Sequence, residues 1–594
     1  MIQSILLIIA YLILFAGVFL VKKSQKELRL IPWLAVSLLI TMMVQAFAGG
    51  ILYVIKGPDP VWFVGLFDAI IGFFLLFLTF RKGLQSYKFE VIDLLAAVLV
   101  IALAYYYGHR LFGSGLYPNF SSTDAATHFT LARNIALLDR IDTNLFFSAV
   151  NTAYLMKIAL PFLTSMKLTK VYVGFEILQY LLSGAAFYLV IEKYSRKSRF
   201  LQGMSLLLIL AYMIGYPLYG MEFGFTYFNM SIVIIAVLIY FLQILFDDSV
   251  EKLPAVILVN LGLYSVFASY TLFVPAVYFG VFLAILLRQF YKKNLFSKET
   301  FFFLCAVFLL PCICGLLISW ENIKYLLPGS VSQTAVQSSG DEQRSAISLD
   351  GGCYNDLYSS FVLVFPLAFY GYMKGVKNKL ESLNMTLLPV MILFTGAMAY
   401  MALSKRVSVY YLVKNNSLLW LLFWLLAFYG ICELSSRVKG AVISYVLMFA
   451  LLLGSLYLNF DARVTAKNER MITGTTSGFL GVYAFAKDFL AAGTFHPLQM
   501  DLYEYVSENC AQEAGETLTV GDDYFCIWSR VLTGEDLFSL DGSEKTLGSL
   551  YSDNTKYLLV ENELYEANKS YLEEAGEIVY SNDKGFVIKL NDQE

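Results

Sequence analysis

A succession of apolar stretches, each long enough to cross a bilayer as a helix, is the feature that most constrains this chain. A spanning helix needs about 20 mostly apolar residues. Fourteen stretches qualify, at residues 2–21, 32–55, 61–80, 91–107, 171–191, 201–217, 229–246, 253–268, 270–287, 301–319, 357–373, 385–403, 417–434 and 440–459. A different division of 253–287 would change this count by one. Only 15% of the residues are charged, against about 25% in soluble proteins. The sequence therefore predicts a polytopic α-helical membrane protein.

The distribution of basic residues orients these segments, because cytoplasmic loops of membrane proteins carry an excess of Lys and Arg. Six of the seven odd-numbered segments are followed by basic clusters, at residues 22–29, 81–88, 193–199, 288–298, 374–379 and 437–439. The first segment lacks a positive n-region and a cleavage site, so it is interpreted as a membrane helix and not a signal peptide. The loops predicted to lie outside the cytoplasm are 108–170, 218–228, 320–356 and 404–416, followed by the chain after about 460.

The end of the chain has a different character. Residues 501–594 contain 21 acidic and 6 basic side chains, whereas the rest has a net charge of +12. Apolar runs typical of strands occur at Thr517–Val520, Lys556–Val560, Glu577–Tyr580 and Phe586–Leu590. The last two flank a turn sequence that predicts a hairpin, and Tyr565–Ala575 is typical of a helix. We predict a small extracytoplasmic α/β domain, in which Cys510 and Cys526 could pair if the compartment is oxidising.

A polar segment from Ser121 to Asp142 lies in the first large loop. The hydroxyls before Asp124 predict that a helix begins there, and Asp124 and His128 would share one of its faces. Asp124 could be a catalytic carboxylate, with His128 positioning substrate. Alternatively, Asp124 only stabilises the helix N-terminus, which a negative charge does by about 0.3–1 kcal/mol. Arg133, on the same helix, is a further candidate for substrate binding.

A second polar cluster breaks the charge bias of the outer loops. Its candidate substrate-binding residues are Lys405, Arg406, Tyr410, Tyr411 and Lys414. Lys point charges and Arg forks suit phosphate, so the cluster favours recognition of an anion. The alternative is attraction to anionic lipid headgroups.

Two more acids stand among apolar residues. Glu222, in an aromatic outer turn, is either a second carboxylate of the site or a solvated interfacial residue. Glu176, within the fifth segment, is expensive to bury in lipid and predicts a polar cavity or partner. The sequence has no glycine-rich nucleotide loop, no GxSxG elbow and no Cys/His zinc spacing. We predict no nucleic-acid partner, and the sequence offers no clear set of metal ligands.

The chain resembles the GT-C superfamily of polytopic membrane glycosyltransferases over about residues 90–594. The resemblance rests on the acidic residue early in the first large outer loop, Asp124 in TDAATHFTLARNI, on the outer YYLVK stretch, and on the outward α/β domain. It implies additional helices at 1–90, a GT-C-like core at 91–460 and the α/β domain at 461–594. The three extra helices before the loop depart from the simplest pattern, and the loop has no Asp-x-Asp pair for a metal.

The resemblance also implies a function. A membrane glycosyltransferase of this kind would move a sugar from a polyprenyl-phosphate-linked donor to an extracytoplasmic acceptor of a bacterial cell envelope. Asp124 would be the general base on the acceptor hydroxyl, and Lys414, Lys405 and Arg406 would bind the donor phosphate. A transporter or assembly protein without catalysis, or a lipid-linked glycan polymerase or ligase, are the alternatives. No cofactor is identified, and a divalent cation remains open.

Overall fold

The computed structural model describes residues 1–326, 364–436, 495–510, 517–533, 536–539 and 555–591, apart from residues 23, 25, 26, 121, 140, 142–145, 249, 405 and 408. Residues 442, 446 and 450 are described singly. The predicted domain boundary at 460 lies outside these ranges. The fourteenth apolar segment, 440–459, is described only at those three positions.

The first two ranges form a bundle of helices. Their bounds are α1 Ile2–Leu20, α2 Leu30–Ile55, α3 Pro60–Lys82, α4 Val91–Phe112, α5 Asp124–Leu137, α6 Phe146–Ala159, α7 Thr169–Ser195, α8 Arg199–Met213, α9 Tyr216–Phe223, α10 Thr226–Phe246, α11 Lys252–Ser269, α12 Val274–Tyr291, α13 Lys298–Leu326, α14 Val364–Lys377, α15 Leu383–Leu403 and α16 Val409–Ser435. Two short parallel strands, β1 Leu28–Arg29 and β2 Tyr87–Lys88, pair between the starts of α2 and α4.

Twelve helices among the described residues are long and apolar enough to cross a membrane. They match twelve of the fourteen predicted segments, and the region 253–287 is divided into two helices as predicted. The segment predicted at 357–373 is represented by α14, whose described part begins at Val364. Large apolar side chains are exposed along α1, α3, α4 and α13, as expected for surfaces that meet lipid. The protein is a multi-pass membrane protein.

Two predicted loops are helical, which corrects the sequence-based boundaries. Residues 218–228 were expected to be an outer turn, but α9 extends to Phe223 and α10 begins at Thr226. Residues 409–416 were expected to be loop, yet they form the first two turns of α16. That stretch contains neither Gly nor Pro, so nothing in it stops a helix from continuing. Tyr410, Tyr411 and Lys414 therefore lie on a helix and not on a loop.

The C-terminal part is an α/β domain, as predicted. It contains α17 Pro497–Asn509, α18 Asp523–Thr533, α19 Asn562–Ala567 and α20 Lys569–Ala575, with strands β3 Thr517–Gly521, β4 Asp536–Ser539, β5 Tyr557–Glu561, β6 Gly576–Asn582 and β7 Gly585–Leu590. The sheet order is β4-β3-β5-β7-β6. The predicted hairpin is the antiparallel pair β6–β7, whereas the single predicted helix is divided into α19 and α20. Cys510 and Cys526 are both buried, and the thiol of Cys526 donates to the carbonyl oxygen of Gly521 at 3.5 Å.

A buried ion cluster joins α2, α4 and α7 at the end of α4 away from Asp124. The guanidinium of Arg29 donates to Asp93, with one Nε–Oδ2 distance of 2.7 Å, and also to Glu192. Tyr188 donates to Asp93 at 2.7 Å, and Arg196 donates to Glu192 at 2.6 Å. Arg29 and Asp93 are 3% and 1% exposed. Because two cations face two carboxylates, the cluster is electrically balanced and ties three helices together.

Candidate functional site

The helix that carries Asp124 begins where the sequence predicts. Asp124 is its first residue, and the backbone N–H of Asp124 donates to Ser122 Oγ at 3.1 Å. Thr123 occupies the N-cap position but makes no side-chain capping bond. Four alanines, together with Phe129 and Ile135, form the buried face of α5. Asp124 is thus held at the start of a rigid helix, with its side chain partly exposed.

The turn between α9 and α10 packs directly against this helix. Gly224 has φ +63°, and a Cβ built there would lie 2.6 Å from Ala125 Cβ. Only glycine accommodates both the left-handed conformation and this close approach. The approach brings the carbonyl oxygen of Gly224 within 3.0 Å of His128 Nδ1, and Thr226 Oγ1 lies 3.2 Å from the same nitrogen. The ring of Tyr227 packs edge-on against His128, with the centroids 4.2 Å apart.

Lys414, from the first turns of α16, lies at the same place. Its ammonium is surrounded by three aromatic rings, with distances to the centroids of 5.0 Å for Phe225, 5.4 Å for Phe228 and 5.1 Å for Tyr270. Rings at this distance stabilise a cation through their π faces. The aromatic residues thereby hold a positive charge beside the α9–α10 turn.

The charges of Asp124 and Lys414 both act on His128. Burial lowers the pKa of His128 to about 4; Asp124 and the bond to Gly224 oppose this shift, and Lys414 adds to it. The pKa of Tyr270 is raised by burial and further by the charges of Tyr411 and Asp124. Asp124, His128 and Lys414 are therefore one electrostatic cluster, although 290 positions separate the first residue from the last. At neutral pH the imidazole of His128 is uncharged.

Several other predicted site residues lie elsewhere or outside the description. Arg406 is exposed, Lys405 is outside the described residues, and Tyr410 is described by its backbone alone, in the first turn of α16. Tyr411 is 39% exposed and close enough to affect Tyr270. Glu222 is buried in α9 at 3% exposure, so it is not a solvated interfacial residue. The roles of these residues stay predictions.

Arg133 faces the C-terminal domain. Its guanidinium donates to the carbonyl oxygen of Val531 and lies 5.7 Å from the ring centroid of Phe129. The ring of Phe129 in turn lies 6.3 Å from Trp528 of α18, and Tyr524 donates to the carbonyl of Phe120 at 3.1 Å. Arg133 does not lie in the cluster of Asp124. It joins α5 to the C-terminal domain instead.

Sequence reasoning missed the residues that complete the cluster. Gly224, Phe225 and Thr226 fall in the stretch that was interpreted as a loop, and Tyr270 is the first residue of the predicted apolar segment 270–287. Their signal in the sequence is the composition of GMEFGFTYFN, in which polar and aromatic residues interrupt an apolar run next to a glycine. No group of three or more potential His, Cys, Asp or Glu metal ligands occurs in the part of the chain that the structure describes.

We expect acid to destabilise the protein through His128. Its folded pKa of about 4 lies below the ordinary value of about 6.5. Between these values the unfolded chain binds a proton that the folded chain does not, so stability is lost as the pH falls from 6.5 towards 4, by up to about 3 kcal/mol. Above pH 6.5 the contribution is constant. Melting temperatures measured from pH 7.5 to 4.5 should fall less for His128→Gln than for the wild type.

The matched control is His109→Gln, because His109 is exposed at the end of α4. This variant should follow the wild-type curve. Equal acid sensitivity of His128→Gln and the wild type would contradict the neutral state of His128 in the folded protein.

Comparison with known proteins gives resemblance at low identity. No family model and no curated protein matches the chain. ArnT from Cupriavidus metallidurans, solved bound to undecaprenyl phosphate, is 10% identical with a TM-score of 0.46, over 83% of this chain and 97% of that one. The Archaeoglobus fulgidus oligosaccharyltransferase in its apo form is 10% identical with a TM-score of 0.47, over 80% and 70%. Each of these likenesses is a resemblance at 10% identity and no more. At TM-scores below 0.5 it establishes neither the family nor the activity of this chain.

Proposed function

We propose that this protein is a membrane glycosyltransferase that moves a sugar from a polyprenyl-phosphate-linked donor to a hydroxyl of a cell-envelope acceptor on the outer face of the membrane. The observation that carries the proposal is the electrostatic cluster of Asp124, His128 and Lys414. It joins a carboxylate, a neutral imidazole and a cation at one end of a bundle of membrane helices. The basic clusters at the opposite helix ends favour the cytoplasm as the other side.

The chemistry assigns one task to each charge. The acceptor hydroxyl attacks the anomeric carbon, a new glycosidic C–O bond forms, and the bond from that carbon to the phosphate oxygen breaks. Asp124, acting as general base, takes the proton of the hydroxyl. The lipid phosphate leaves with the electron pair and gains one negative charge, which a nearby cation stabilises. Lys414 is the cation for this step.

The aromatic surroundings of Lys414 support binding of a lipid-linked anion. The ammonium lies among the rings of Phe225, Phe228 and Tyr270. It has therefore exchanged part of its hydrating water for an aromatic, largely apolar environment. A phosphate that arrives on an isoprenoid chain brings both an anion for Lys414 and an apolar chain for such surroundings. A free nucleotide sugar would bring the anion but no apolar chain.

We expect Lys414→Met to weaken binding of undecaprenyl phosphate by about 10- to 100-fold, because a hydrogen bond between charged groups is lost. Binding is measured with the purified protein in nanodiscs, and undecaprenol, which lacks the phosphate, should bind equally to both proteins. The matched control is Lys167→Met, since Lys167 pairs with Glu504 at 3.5 Å and lies outside the cluster. Equal affinity of Lys414→Met and the wild type for undecaprenyl phosphate would contradict the role of Lys414.

The alternative functions predict a different combination of results. A transporter or assembly protein would bind the lipid phosphate through Lys414 and transfer no sugar. A lipid-linked glycan polymerase or ligase would use the same residues and join oligosaccharides instead of single sugars. Incubation with radiolabelled polyprenyl-phosphate monosaccharides and polyprenyl-diphosphate oligosaccharides, followed by analysis of the water-soluble and lipid products, separates the three.

A further inference from the structure

A chain of hydrogen bonds connects His128 to a carboxylate buried in the membrane bundle. His128 Nδ1 lies 3.2 Å from Thr226 Oγ1, and Thr226 donates its hydroxyl proton to Glu176 Oε1. Tyr172, also on α7, shares a hydrogen bond of 2.6 Å with Thr226 Oγ1. Thr226 and Glu176 are 2% and 0% exposed. This relay joins three helices that are far apart in sequence, α5, α7 and α10.

The carbonyl of Gly224 determines the direction of the first bond. A carbonyl oxygen can only accept, so the 3.0 Å contact with His128 Nδ1 requires a proton on that nitrogen. The imidazole is neutral at pH 7, because its pKa is about 4. Its other nitrogen, Nε2, then carries a lone pair. Nε2 has no hydrogen-bond partner among the described residues, and it can therefore accept a bond from a bound molecule.

The single proton of Thr226 could disturb this arrangement. When Tyr172 is the donor in its bond to Thr226 Oγ1, a Thr226 proton that is not donated to Glu176 has two alternative acceptors, Gly224 O at 3.3 Å and His128 Nδ1. In the first case it competes with His128 for the carbonyl. In the second it forces Nδ1 to accept, which moves the ring proton to Nε2. Glu176 Oε1 accepts the Thr226 proton, so that proton is held away from the histidine.

The position of Glu176 is costly for a purely structural residue. An ionisable side chain within a membrane helix is expensive and marks function by default. Gln179 Nε2 also donates to Glu176 Oε1, at 3.3 Å, and Glu176 Oε2 accepts no bond among the described residues. A neutral side chain could fill the same space at lower cost. The bond from Thr226 to Glu176 connects Glu176 to the site.

We infer that Glu176 is a positioning residue that acts through Thr226 to hold His128 with its proton on Nδ1, so that Nε2 accepts a hydrogen bond from a hydroxyl of the substrate. The identity of that substrate rests on the proposed function, whereas the tautomer does not. The inference divides the site chemically. Lys414 binds the anionic group, and the neutral imidazole of His128 accepts a hydrogen bond from a hydroxyl. An imidazolium could not accept that bond, because both of its nitrogens carry protons.

The tautomer can be measured directly, because the chain contains only three histidines. The full-length protein, labelled with ring-¹⁵N histidine and reconstituted in lipid, should give three sets of ring signals at pH 7. His128→Gln assigns the relevant set. We expect the wild type to carry the proton on Nδ1 and a lone pair on Nε2. A proton on Nε2 would overturn the inference without any need for a variant.

A pair of substitutions separates the relay from a general disturbance. Glu176→Gln should move the ring proton towards Nε2, because its amide can donate to Thr226 Oγ1 and release the Thr226 proton towards His128. Adding Thr226→Val removes that proton, so the double variant should return to the Nδ1 tautomer. A structural defect would not be repaired by a second change. Tyr180→Phe is the matched control, since it removes one buried hydroxyl bond on α7, to Met213 O at 3.2 Å, outside the relay.

Activity supplies the second measurement. Glu176→Gln should lower kcat about tenfold or more through the wrong tautomer, while binding of undecaprenyl phosphate stays unchanged. Unaltered ring signals in a folded Glu176→Gln protein would overturn the relay. A shifted tautomer in a protein that transfers no sugar would instead support the relay and contradict the proposed function, so the two failures are distinguishable.

Discussion

Asp124→Asn is expected to reduce sugar transfer by about 10²- to 10⁴-fold, the contribution of a general base. The amide has the size of the carboxylate but cannot take a proton from the acceptor hydroxyl. Asp124 begins α5 and bonds through its backbone to Ser122, so helix formation does not depend on the side-chain charge beyond about 0.3–1 kcal/mol. The measurement is the rate of transfer from a radiolabelled polyprenyl-phosphate sugar in membranes that contain equal amounts of each protein.

The same variant should bind undecaprenyl phosphate at least as tightly as the wild type, because it removes a negative charge next to the anion site. Loss of turnover with retained binding distinguishes a base from a binding residue. Asp139→Asn is the matched control. Asp139 lies just beyond the other end of α5 and pairs with Lys157 at 2.9 Å, so its change should leave transfer near the wild-type rate. Undiminished transfer by Asp124→Asn would remove Asp124 as the base.

Arg29→Met is expected to destabilise the protein by about 3–5 kcal/mol, the cost of leaving a buried carboxylate without its partner. Asp93 loses the bidentate guanidinium, whereas Glu192 keeps Arg196. Burial disfavours the charge of Arg29, yet Glu192, Tyr188 and Asp93 together raise its pKa. We expect a lower melting temperature in detergent and a smaller folded fraction on size-exclusion chromatography.

A surface ion pair provides the comparison. Lys82 and Glu251 are 3.6 Å apart with side chains 52% and 57% exposed, and such pairs contribute about 0–1 kcal/mol. Lys82→Met should therefore leave the melting temperature almost unchanged. The variant that combines Arg29→Met with Asp93→Asn and Glu192→Gln should recover much of the loss, because no buried charge remains. Equal melting temperatures of Arg29→Met and Lys82→Met would contradict the structural role of the cluster.

The sequence was sufficient for elements whose signal is local. Membrane helices are recognised by length and apolarity alone, so twelve predicted segments correspond to helices. The strands β3, β5, β6 and β7 were predicted because short apolar runs alternate with turn residues. The start of α5 was predicted from the hydroxyl residues before Asp124. In each case the physical cause lies within about 20 neighbouring residues.

Elements with a non-local cause were missed. The helix α6, Phe146–Ala159, packs on α2 and α5 and buries polar residues such as Asn151. Because of these polar residues, its sequence lacks an apolar stretch of spanning length. The partner of Glu176 could not be named because Thr226 is 50 residues away. Lys414 was assigned to a loop because charges usually mark loops in membrane proteins, whereas here three rings make a helical position tolerable.

The contact of α5 with the C-terminal domain has a consequence for the order of biosynthesis. Phe129 and Arg133 of α5 pack on Trp528 and Val531, which leave the ribosome about 400 residues later. Domains generally fold in the order in which they are made, so the helix bearing Asp124 lacks this contact until residue 531 has been translated. A nascent chain with every described membrane helix in place still lacks this support. The packing of α5 is thereby linked to the synthesis of the C-terminal domain.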